Sequence, residues 1–266
     1  MPANPLDIFR RLEQSNCREC GEKTCLAFAA AVATGQKPLA ACPRLSAAAK
    51  TALVGAFLET PIDQHGAEHV AKLKAELRHV DLARAAGRCG GDYRDGWLTL
   101  NLLGKSCATD QNGNLRTQLH LNPWMLSPFF TYIVRGDGAE PTGNWVGFRD
   151  LADSVGRYPH FRRRAEEVMR DVADRHPSLF ADLTYIFSAK EQPPRFGADV
   201  SVLLMPLPKL PLLLSYWRAD EGIVSELHIH LDETAGKNLD IDAIHDLCAG
   251  MATMFVRLAA RHGGFV

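Results

Sequence analysis

The sequence lacks any long uncharged apolar segment, and its 266 residues carry a net charge of only -1. A membrane-spanning helix needs about 20 mostly apolar residues, so the sequence predicts no membrane span. Proteins that grip nucleic acid through its phosphates present a basic surface, and a nearly neutral chain predicts no such partner. The first residues show no basic stretch followed by an apolar core, so we expect no secretory signal peptide.

Common catalytic and nucleotide-binding signatures are missing as well. The glycines at 87, 90 and 91 do not form the Gly-x4-Gly-Lys-Ser/Thr pattern of a phosphate-binding loop. The Gly-x-Ser-x-Gly elbow of the α/β-hydrolases is also absent. Neither a P-loop nucleotidase nor a hydrolase of that fold is therefore predicted.

Cysteine, by contrast, is present in an informative pattern. There are seven cysteines, an odd number, which predicts a reducing cytoplasm and a metal centre instead of a disulfide framework. Cys89, Cys107 and Cys248 are interpreted as ordinary buried residues, with a reactive thiol at Cys89 or Cys107 as the alternative. The other four follow the spacing C-x2-C-x4-C-x16-C, and they are Cys17, Cys20, Cys25 and Cys42.

This spacing distinguishes between two kinds of four-thiolate site. A structural zinc site usually combines two C-x2-C pairs, whereas this segment contains one such pair and two separate cysteines. A cubane iron-sulfur cluster suits three closely spaced ligands and a remote fourth beside a proline, here Pro43. The spacing therefore favours a 4Fe-4S cluster, and four free or zinc-binding cysteines are the alternative.

The residues between these cysteines agree with that interpretation. Gly21 permits a close approach of the backbone to inorganic sulfide. Thr24 predicts the N-cap of a helix that runs from Cys25 to about Thr34 and ends at Gly35. Cys25 would then lie in the first helical turn, where the helix dipole favours a thiolate.

The segment from Leu12 to Pro43 resembles the small 4Fe-4S module of the corrinoid iron-sulfur protein large subunit. A similar module occurs in the B subunit of the Rnf electron-transport complex. The resemblance rests on the letters NCxxCGxxxCLAFA followed by LxxCP. It implies that Cys17, Cys20, Cys25 and Cys42 bind one 4Fe-4S cluster, a low-potential carrier of single electrons in anaerobic metabolism. It also suggests a redox protein partner, with a corrinoid-containing protein as one candidate.

The chain is expected to form two domains, a cluster-binding module over residues 1–60 and an α+β domain over residues 61–266. An alanine-rich helix is predicted from Ser46 to Leu58, and Thr60-Pro61 marks the boundary after it. In the second part, strands are flanked by helices without a βαβ alternation, which is typical of α+β folds.

Apolar periodicity predicts the elements of this second part. Helices are expected over residues 67–86, 124–134, 161–175 and 240–262. Strands are expected over residues 97–102, 115–121, 200–205, 212–217 and 223–231, the first two pairing as a hairpin through a turn at 110–114. Because proline cannot donate a ladder hydrogen bond, Pro206, Pro208 and Pro211 predict an extended edge or a loop.

Three segments of the second part resemble an uncharacterised domain family of anaerobic prokaryotes. They are Gly143–Leu151, Pro206–Trp217 and Leu231–Ala235. In some members of that family the domain follows an iron-sulfur module of the same kind. The resemblance implies homology, but it supplies no activity.

The last predicted strand carries polar side chains at alternate positions, namely Glu226, His228, His230 and Asp232. Alternation places them on one face of the strand. A His-x-His pair with a carboxylate can hold zinc or ferrous iron, or donate protons beside a redox centre. A second metal site at His228 and His230 would need a further ligand such as His120 or His245. The alternative is a solvent-facing strand surface.

Three functional hypotheses follow from the sequence. In the first, a cytoplasmic 4Fe-4S protein passes single electrons to a centre or partner associated with the larger domain. In the second, the larger domain is a metal- or cofactor-dependent enzyme that uses the histidine strand and binds a second metal or a corrinoid. In the third, the protein is not an enzyme, and its cluster is structural or senses the redox state.

Overall fold

The structure is a computed structural model that describes residues 8–33, 37, 41–46, 64–117, 119, 121, 123–176 and 178–262. The chain divides into two compact units, Met1–His65 and Gly66–Val266. Helices and antiparallel strands make up the described residues, which confirms the predicted α+β class. The helix predicted over residues 46–58, beyond Ser46, and the boundary predicted after residue 60 lie outside the described residues.

A short helix, α1 (Cys25–Ala33), is the central element of the first unit. Thr24 caps it as predicted, because its Oγ1 accepts a hydrogen bond from Ala27 N at 3.0 Å. The predicted stop at Gly35 lies outside the described residues. The helix contributes Phe28, Ala29 and Val32 to a small apolar cluster that also contains Ile8, Leu12 and Leu45.

Two helices open the second unit where the periodicity predicted one continuous helix over residues 67–86. They are α2 (Gln64–Leu77) and α3 (Leu82–Cys89). Asp81 separates them, because its side chain accepts a hydrogen bond from Arg84 N and caps α3. The continuous helix was wrong because aspartate satisfies backbone N–H groups at an N-cap better than it fits a helix interior.

A four-stranded antiparallel sheet follows, with its strands in chain order: β1 (Asp92–Arg94), β2 (Trp97–Leu102), β3 (Lys105–Thr109) and β4 (Leu115–Thr117). The strand predicted at 97–102 is confirmed, but the hairpin predicted between it and 115–121 was wrong. Strand β2 pairs with β3, and β4 pairs with β3. The β2–β3 turn has φ 48 at Leu103 and φ 76 at Gly104. Because leucine is rare at positive φ, the sequence did not indicate a turn at this position.

A second antiparallel sheet has the order β5-β9-β8-β7-β6. Its strands are β5 (Trp145–Gly147), β6 (Lys190–Gln192), β7 (Val200–Leu207), β8 (Leu210–Trp217) and β9 (Glu226–Asp232). The three strands predicted between residues 200 and 231 are confirmed with shifted ends. The loop predicted at Pro208 is confirmed, because this residue lies in the turn between β7 and β8. The prediction was wrong for Pro206 and Pro211, which lie in inner strands. A register shift between Leu204 and Leu207 accommodates Pro206.

The remaining helices share one apolar core with both sheets. They are α4 (Pro123–Arg135), α5 (Tyr158–Phe161), α6 (Glu167–Arg175), α7 (Leu179–Phe187), α8 (Ala235–Asn238) and α9 (Ile241–His262). Helices α4 and α9 confirm the predictions at 124–134 and 240–262. The helix predicted over 161–175 contains a π-helical turn, Arg162–Glu166, that links α5 to α6.

The helices of the second unit also bear on the membrane prediction. Within the described residues, none of the helices combines the length and the apolar composition needed to cross a lipid bilayer. The predicted absence of a membrane-spanning helix therefore holds for the part of the chain that the structure describes.

Candidate functional site

All four predicted cluster ligands lie in the first unit. Cys25 and Cys42 are buried, at 9% and 8% exposure, in the same apolar cluster as Ile8. Cys20 packs against that cluster, and Cys17 is half-buried. Each of the four is a free thiol. The thiols thus lie partly in an apolar environment, which in metal sites limits the access of water.

Asn16 holds Cys25 through two hydrogen bonds. The Asn16 N–H donates to Cys25 Sγ at 3.4 Å, and Asn16 Oδ1 accepts from Cys25 N at 2.8 Å. Asn16 has φ 50, a left-handed conformation that asparagine tolerates better than most residues. No role was predicted for Asn16, although its position directly before Cys17 was a visible signal.

The loop around Cys20 is tightly turned and pinned by a lysine. Gly21 has φ 78, and its N–H donates to Arg18 O at 2.9 Å. Lys37 Nζ donates to Cys20 O at 2.9 Å and pairs with Glu22 Oε1 at 2.7 Å. A Cβ added to Gly21 would lie 3.2 Å from that Nζ. Glycine is therefore favoured at this position both by its φ and by the lysine beside it.

An ion pair links the segment after Cys42 to the loop that carries the first cysteines. Arg44 Nη2 lies 2.6 Å from Glu19 Oε1. The hydrogen bond from Arg44 holds the pKa of Glu19 below its usual value. The same bond raises the pKa of Arg44, and the neighbouring Cys17 thiol contributes to that rise. A cationic group thus lies beside the most accessible part of the cysteine loop.

The donor set fits a cubane cluster. In such a cluster each thiolate binds a different iron, so the four sulfurs need not converge on one point. Across the described ranges, no three or more His, Cys, Asp or Glu side chains are placed to hold a single metal ion. The fold brings the four predicted cysteines into one compact unit without grouping them around one ion.

The side chains of β9 alternate as the sequence predicted. Leu227, Ile229 and Leu231 face the core at 4%, 1% and 0% exposure. His228 and His230 lie on the other face, with their ring centroids 6.4 Å apart. The strand therefore presents both predicted histidines together.

His228 lies between two carboxylates. Its Nδ1 is 3.6 Å from Glu166 Oε1, and its Nε2 is 3.4 Å from Glu226 Oε2. The neighbouring Glu166 carboxylate raises the pKa of His228 against the opposing effect of burial, and Glu226 adds to the rise. His230 differs, because burial and the neighbouring His228 lower its pKa. The His230 ring stacks on Phe196, with a centroid distance of 4.3 Å.

Glu166 is the residue that sequence analysis missed. It lies in the π-helical turn and is only 3% exposed. Its Oε1 accepts from Ile229 N at 3.0 Å, and its Oε2 is buried without a hydrogen-bond partner among the described residues. A π-helical turn shifts the helix faces by about one residue, and the 3.6-residue periodicity used to read the sequence does not reveal it.

The other candidate ligands lie elsewhere. His245 is on α9, and its Nε2 is 2.9 Å from His160 Nδ1. His120 lies outside the described residues. Asp232 is fully buried, and its carboxylate accepts from Gly143 N at 2.7 Å. The metal site predicted at His228 and His230 thus stays a prediction, and Asp232 has a structural task.

The segments that resemble the prokaryotic family are held together by buried polar side chains. Asp232 also accepts from Thr234 N and Oγ1, at 3.0 and 2.7 Å. Asn238, at 0% exposure, accepts from Ala139 N and donates to Ala139 O and Lys209 O. These contacts join the β7–β8 hairpin and the end of β9 to the segment that leads into β5.

Comparison with known proteins agrees with this division of the chain. A family model described as "Putative Fe-S cluster" matches residues 12–44. The corrinoid/iron-sulfur protein large subunit of Moorella thermoacetica is 49% identical over 53 residues, which are 20% of this chain and 12% of that protein. The chain therefore spans only a small part of the length of this curated relative. No solved structure matches the chain.

A second family model covers most of the second unit. It is described as "Domain of unknown function (DUF3786)" and matches residues 81–254. The match begins at the residue that caps α3 and ends within α9, so it includes both sheets. Both resemblances found in the sequence are thereby confirmed. The chain belongs to the DUF3786 family and carries an iron-sulfur-type segment ahead of that domain.

Proposed function

We propose that the first unit binds one 4Fe-4S cluster through Cys17, Cys20, Cys25 and Cys42 and passes single electrons to a redox partner. One observation carries the proposal: cysteines at cluster spacing fold into one compact unit, where the buried pair shares an apolar cluster. The match of residues 12–44 to an iron-sulfur family model supports it.

A bound cluster would supply reversible one-electron transfer. Cys25 and Cys42 would hold it from the buried side, and the half-buried Cys17 and Cys20 from the more accessible side. Hydrogen bonds to sulfur and the degree of solvent exposure set the potential of such clusters. The N–H of Asn16 beside Cys25 Sγ is therefore positioned to stabilise the more negative, reduced state.

The partner and the compartment are part of the same proposal. The relative from Moorella is named as a subunit of a corrinoid/iron-sulfur protein, which makes a corrinoid-containing protein our candidate partner. All seven cysteines are free thiols, as expected in the reducing cytoplasm of an anaerobe. The proposed task is thus electron delivery to a corrinoid or similar redox centre.

The test uses anaerobically purified protein reconstituted with iron and sulfide. We expect about four irons and four sulfides per chain and an electron paramagnetic resonance signal that appears with dithionite. Cys20→Ala should lose the signal and most of the iron. Cys107→Ala, a buried cysteine of the second unit, should keep both. One zinc per chain without iron would refute the cluster.

Reversibility separates an electron carrier from a structural or sensing cluster. A carrier should return to its oxidised spectrum after repeated cycles of reduction and oxidation without loss of iron. A cluster that is lost on reduction, or whose removal unfolds the chain, would favour the non-enzymatic hypothesis. The enzyme hypothesis is favoured by a different observation, the buried Glu166 carboxylate beside His228.

A further inference from the structure

We propose that Glu166, His228 and His230 form a binding site for one divalent transition-metal ion in the second unit, separate from the cysteines. Two imidazoles and one carboxylate suit Zn²⁺, Fe²⁺ or Co²⁺. The sequence contained the His-x-His pair but no third ligand. The fold supplies that ligand from the π-helical turn, a feature that is frequent at functional sites.

Buried polar atoms without a hydrogen-bond partner are concentrated around Glu166 and the histidine face of β9. Three of the four buried side-chain atoms that lack a hydrogen-bond partner in the described part are Glu166 Oε2, His230 Nε2 and Ser215 Oγ. Ser215 lies directly opposite His228 on β8. Each such atom destabilises a fold unless something binds it. An ion held by Glu166 and His230 would satisfy two of them at once.

Within the described residues, Glu166 Oε2 has no partner at hydrogen-bond distance, and Glu166 lies close to Tyr158, whose pKa is raised by burial and by this carboxylate. Glu166 Oε1 accepts a hydrogen bond from Ile229 N, a residue of β9 that lies beyond the end of its pairing with β5. This contact satisfies only one of the two carboxylate oxygens. Two arginines lie beside Glu166 in a cleft of about 20 Å³, enough room for one water or one small ion. Both are paired elsewhere, Arg162 with Glu167 at 3.3 Å and Arg170 with Asp171 at 2.8 Å.

The position of His228 is that of a metal ligand with a supporting carboxylate. Its two N···O separations, 3.6 and 3.4 Å, exceed those of an ordinary hydrogen bond. Two ligands of one tetrahedral zinc lie about 3.4 Å apart, as bond lengths near 2.0–2.1 Å require. Nδ1 and Glu166 Oε1 lie close to that spacing, and an ion bound by both oxygens of the carboxylate would also satisfy Oε2. Glu226, on Nε2, corresponds to the carboxylate that commonly orients a metal-bound histidine.

His230 is the ligand that has to move. As the described residues stand, no three such side chains are placed around a single ion. Phe196 holds the His230 ring in a stack, although it is 55% exposed and has φ 55, a conformation unfavourable for an aromatic residue. We expect metal binding to release this stack and turn His230 towards Glu166. An ion with three protein ligands would keep an open position for water or substrate.

The test is a titration of Co²⁺ into the full chain with its cluster in place. Trp217 lies edge-on to His228 with a centroid distance of 5.4 Å, so bound Co²⁺ should quench its fluorescence. We expect one equivalent to bind, with quenching that is lost in Trp217→Phe. The difference spectrum against the same protein without Co²⁺ should show no new thiolate-to-cobalt charge-transfer band. His228→Asn and Glu166→Gln should weaken binding at least ~10-fold. Phe196→Ala should strengthen it.

A matched variant keeps this result interpretable. His160→Gln removes a histidine that contacts His245 instead of Glu166, His228 or His230, so this variant should bind Co²⁺ like the wild type. Circular dichroism checks that Glu166→Gln folds, since glutamine can still accept from Ile229 N. Absence of binding, binding unaffected by His228→Asn and Glu166→Gln, or a new thiolate-to-cobalt charge-transfer band in the difference spectrum would each overturn the proposal. Iron and sulfide content report on the cluster separately.

Discussion

The two units show two different relations between a recognisable motif and its chemistry. In the first unit, the residues that carry the resemblance are the predicted metal ligands themselves. In the second unit, the resembling segments contain buried groups such as Asp232, whose hydrogen bonds join strands and loops. A motif can therefore be recognisable because it performs chemistry or because it builds the fold, and only the contacts distinguish the two.

This difference also separates the cysteines. In the first unit, Cys17 and Cys20 are half-buried, whereas Cys25 and Cys42 are buried at 9% and 8% exposure. Cys89, Cys107 and Cys248 are at most 1% exposed and belong to the core of the second unit. The alternative of a reactive thiol at Cys89 or Cys107 finds no support in their burial.

The largest expected effect concerns thiol reactivity. Burial raises the pKa of Cys89, and it raises the pKa of Cys107 to about 11. In cluster-free protein, iodoacetamide at pH 8 should alkylate Cys17 and Cys20 about 1,000-fold faster than Cys89, Cys107 or Cys248. A fully buried thiol reacts only when the fold opens, which happens rarely in a stable domain. Peptide mass mapping over time measures each rate.

Two further measurements complete this experiment. In a denaturant, all seven cysteines should react at similar rates, which checks that labelling is limited by the fold. Labelling of Cys89 in the native protein at the rate of Cys17 would contradict the difference in cysteine accessibility between the two units, because the second unit would then contain an accessible thiol.

A second prediction tests whether Asp232 builds the fold. Burial opposes the ionisation of Asp232, but hydrogen bonds from Thr234 and Gly143 outweigh it and lower its pKa. Asp232→Ala would leave buried N–H groups unpaired, each at about 1–3 kcal/mol, so we expect a loss of about 3 kcal/mol in the free energy of unfolding. Urea denaturation measures it. Asp232→Asn, which keeps one acceptor, should lose less.

The cluster provides the control for that prediction. Iron content per folded chain should be the same in Asp232→Ala and the wild type. An Asp232→Ala variant with unchanged stability but weaker Co²⁺ binding would instead make Asp232 part of the metal site, and the comparison between the two units would fail.

Sequence alone predicted the elements whose pattern is regular. The cysteine spacing, the cap at Thr24, the alternation along β9 and the apolar stripe of α9 all follow from rules that act over a few residues. The predictions failed where a residue adopts a conformation or position that its residue type normally avoids. Leu103 adopts a positive φ in the β2–β3 turn, and Pro206 lies in an inner strand at a register shift.

Glu166 shows most clearly what sequence patterns cannot predict. Its burial requires the π-helical turn, and the contact with Ile229 joins residues 63 positions apart. No local pattern encodes either feature, because both depend on how α6 packs against β9. The third ligand of the proposed metal site could therefore be found only from the fold.

A smaller effect is expected at Asn16. A reduced cluster carries one more negative charge, so an N–H donor at Cys25 Sγ raises the reduction potential. Asn16→Asp can still accept from Cys25 N but adds a negative charge, and Asn16→Gly tolerates φ 50 but loses the Oδ1 contact. Both variants keep the backbone N–H that donates to Cys25 Sγ. Asn16→Asp should lower the potential through its added charge, and Asn16→Gly should lower it less, because only the Oδ1 contact that positions this N–H is lost. A redox titration followed by electron paramagnetic resonance, at equal iron content, measures the shift.

Equal potentials in the wild type and both variants would contradict this expectation. Asn16 would then have only a structural role in the first unit, like the role of Asp232 in the second. Lys37→Met is a useful reference, because it removes the contact to Cys20 O without touching a sulfur hydrogen bond.

The smallest effect is expected at the other histidine pair of the second unit. Burial and the neighbouring His245 lower the pKa of His160. Arg163 and Arg164 lower it further, while Asp246 opposes them. The unfolded chain therefore binds more protons than the folded chain once the pH falls below about 6.5. The contribution of His160 to stability is fully present above that pH and decreases as the pH falls through the folded pKa.

Urea denaturation at pH 7.5 and pH 5.5 should show this decrease in the wild type and a smaller one in His160→Gln. His245→Gln should reduce the decrease to a lesser extent, because it removes the repulsion between the two rings but leaves the burial of His160, which is the larger cause. Neither variant should change Co²⁺ binding, since the pair lies apart from His228 and His230. If His160→Gln instead left the pH dependence unchanged and weakened Co²⁺ binding, this histidine would belong to the chemistry of the second unit, and the division into structural and metal-binding histidines would have to be redrawn.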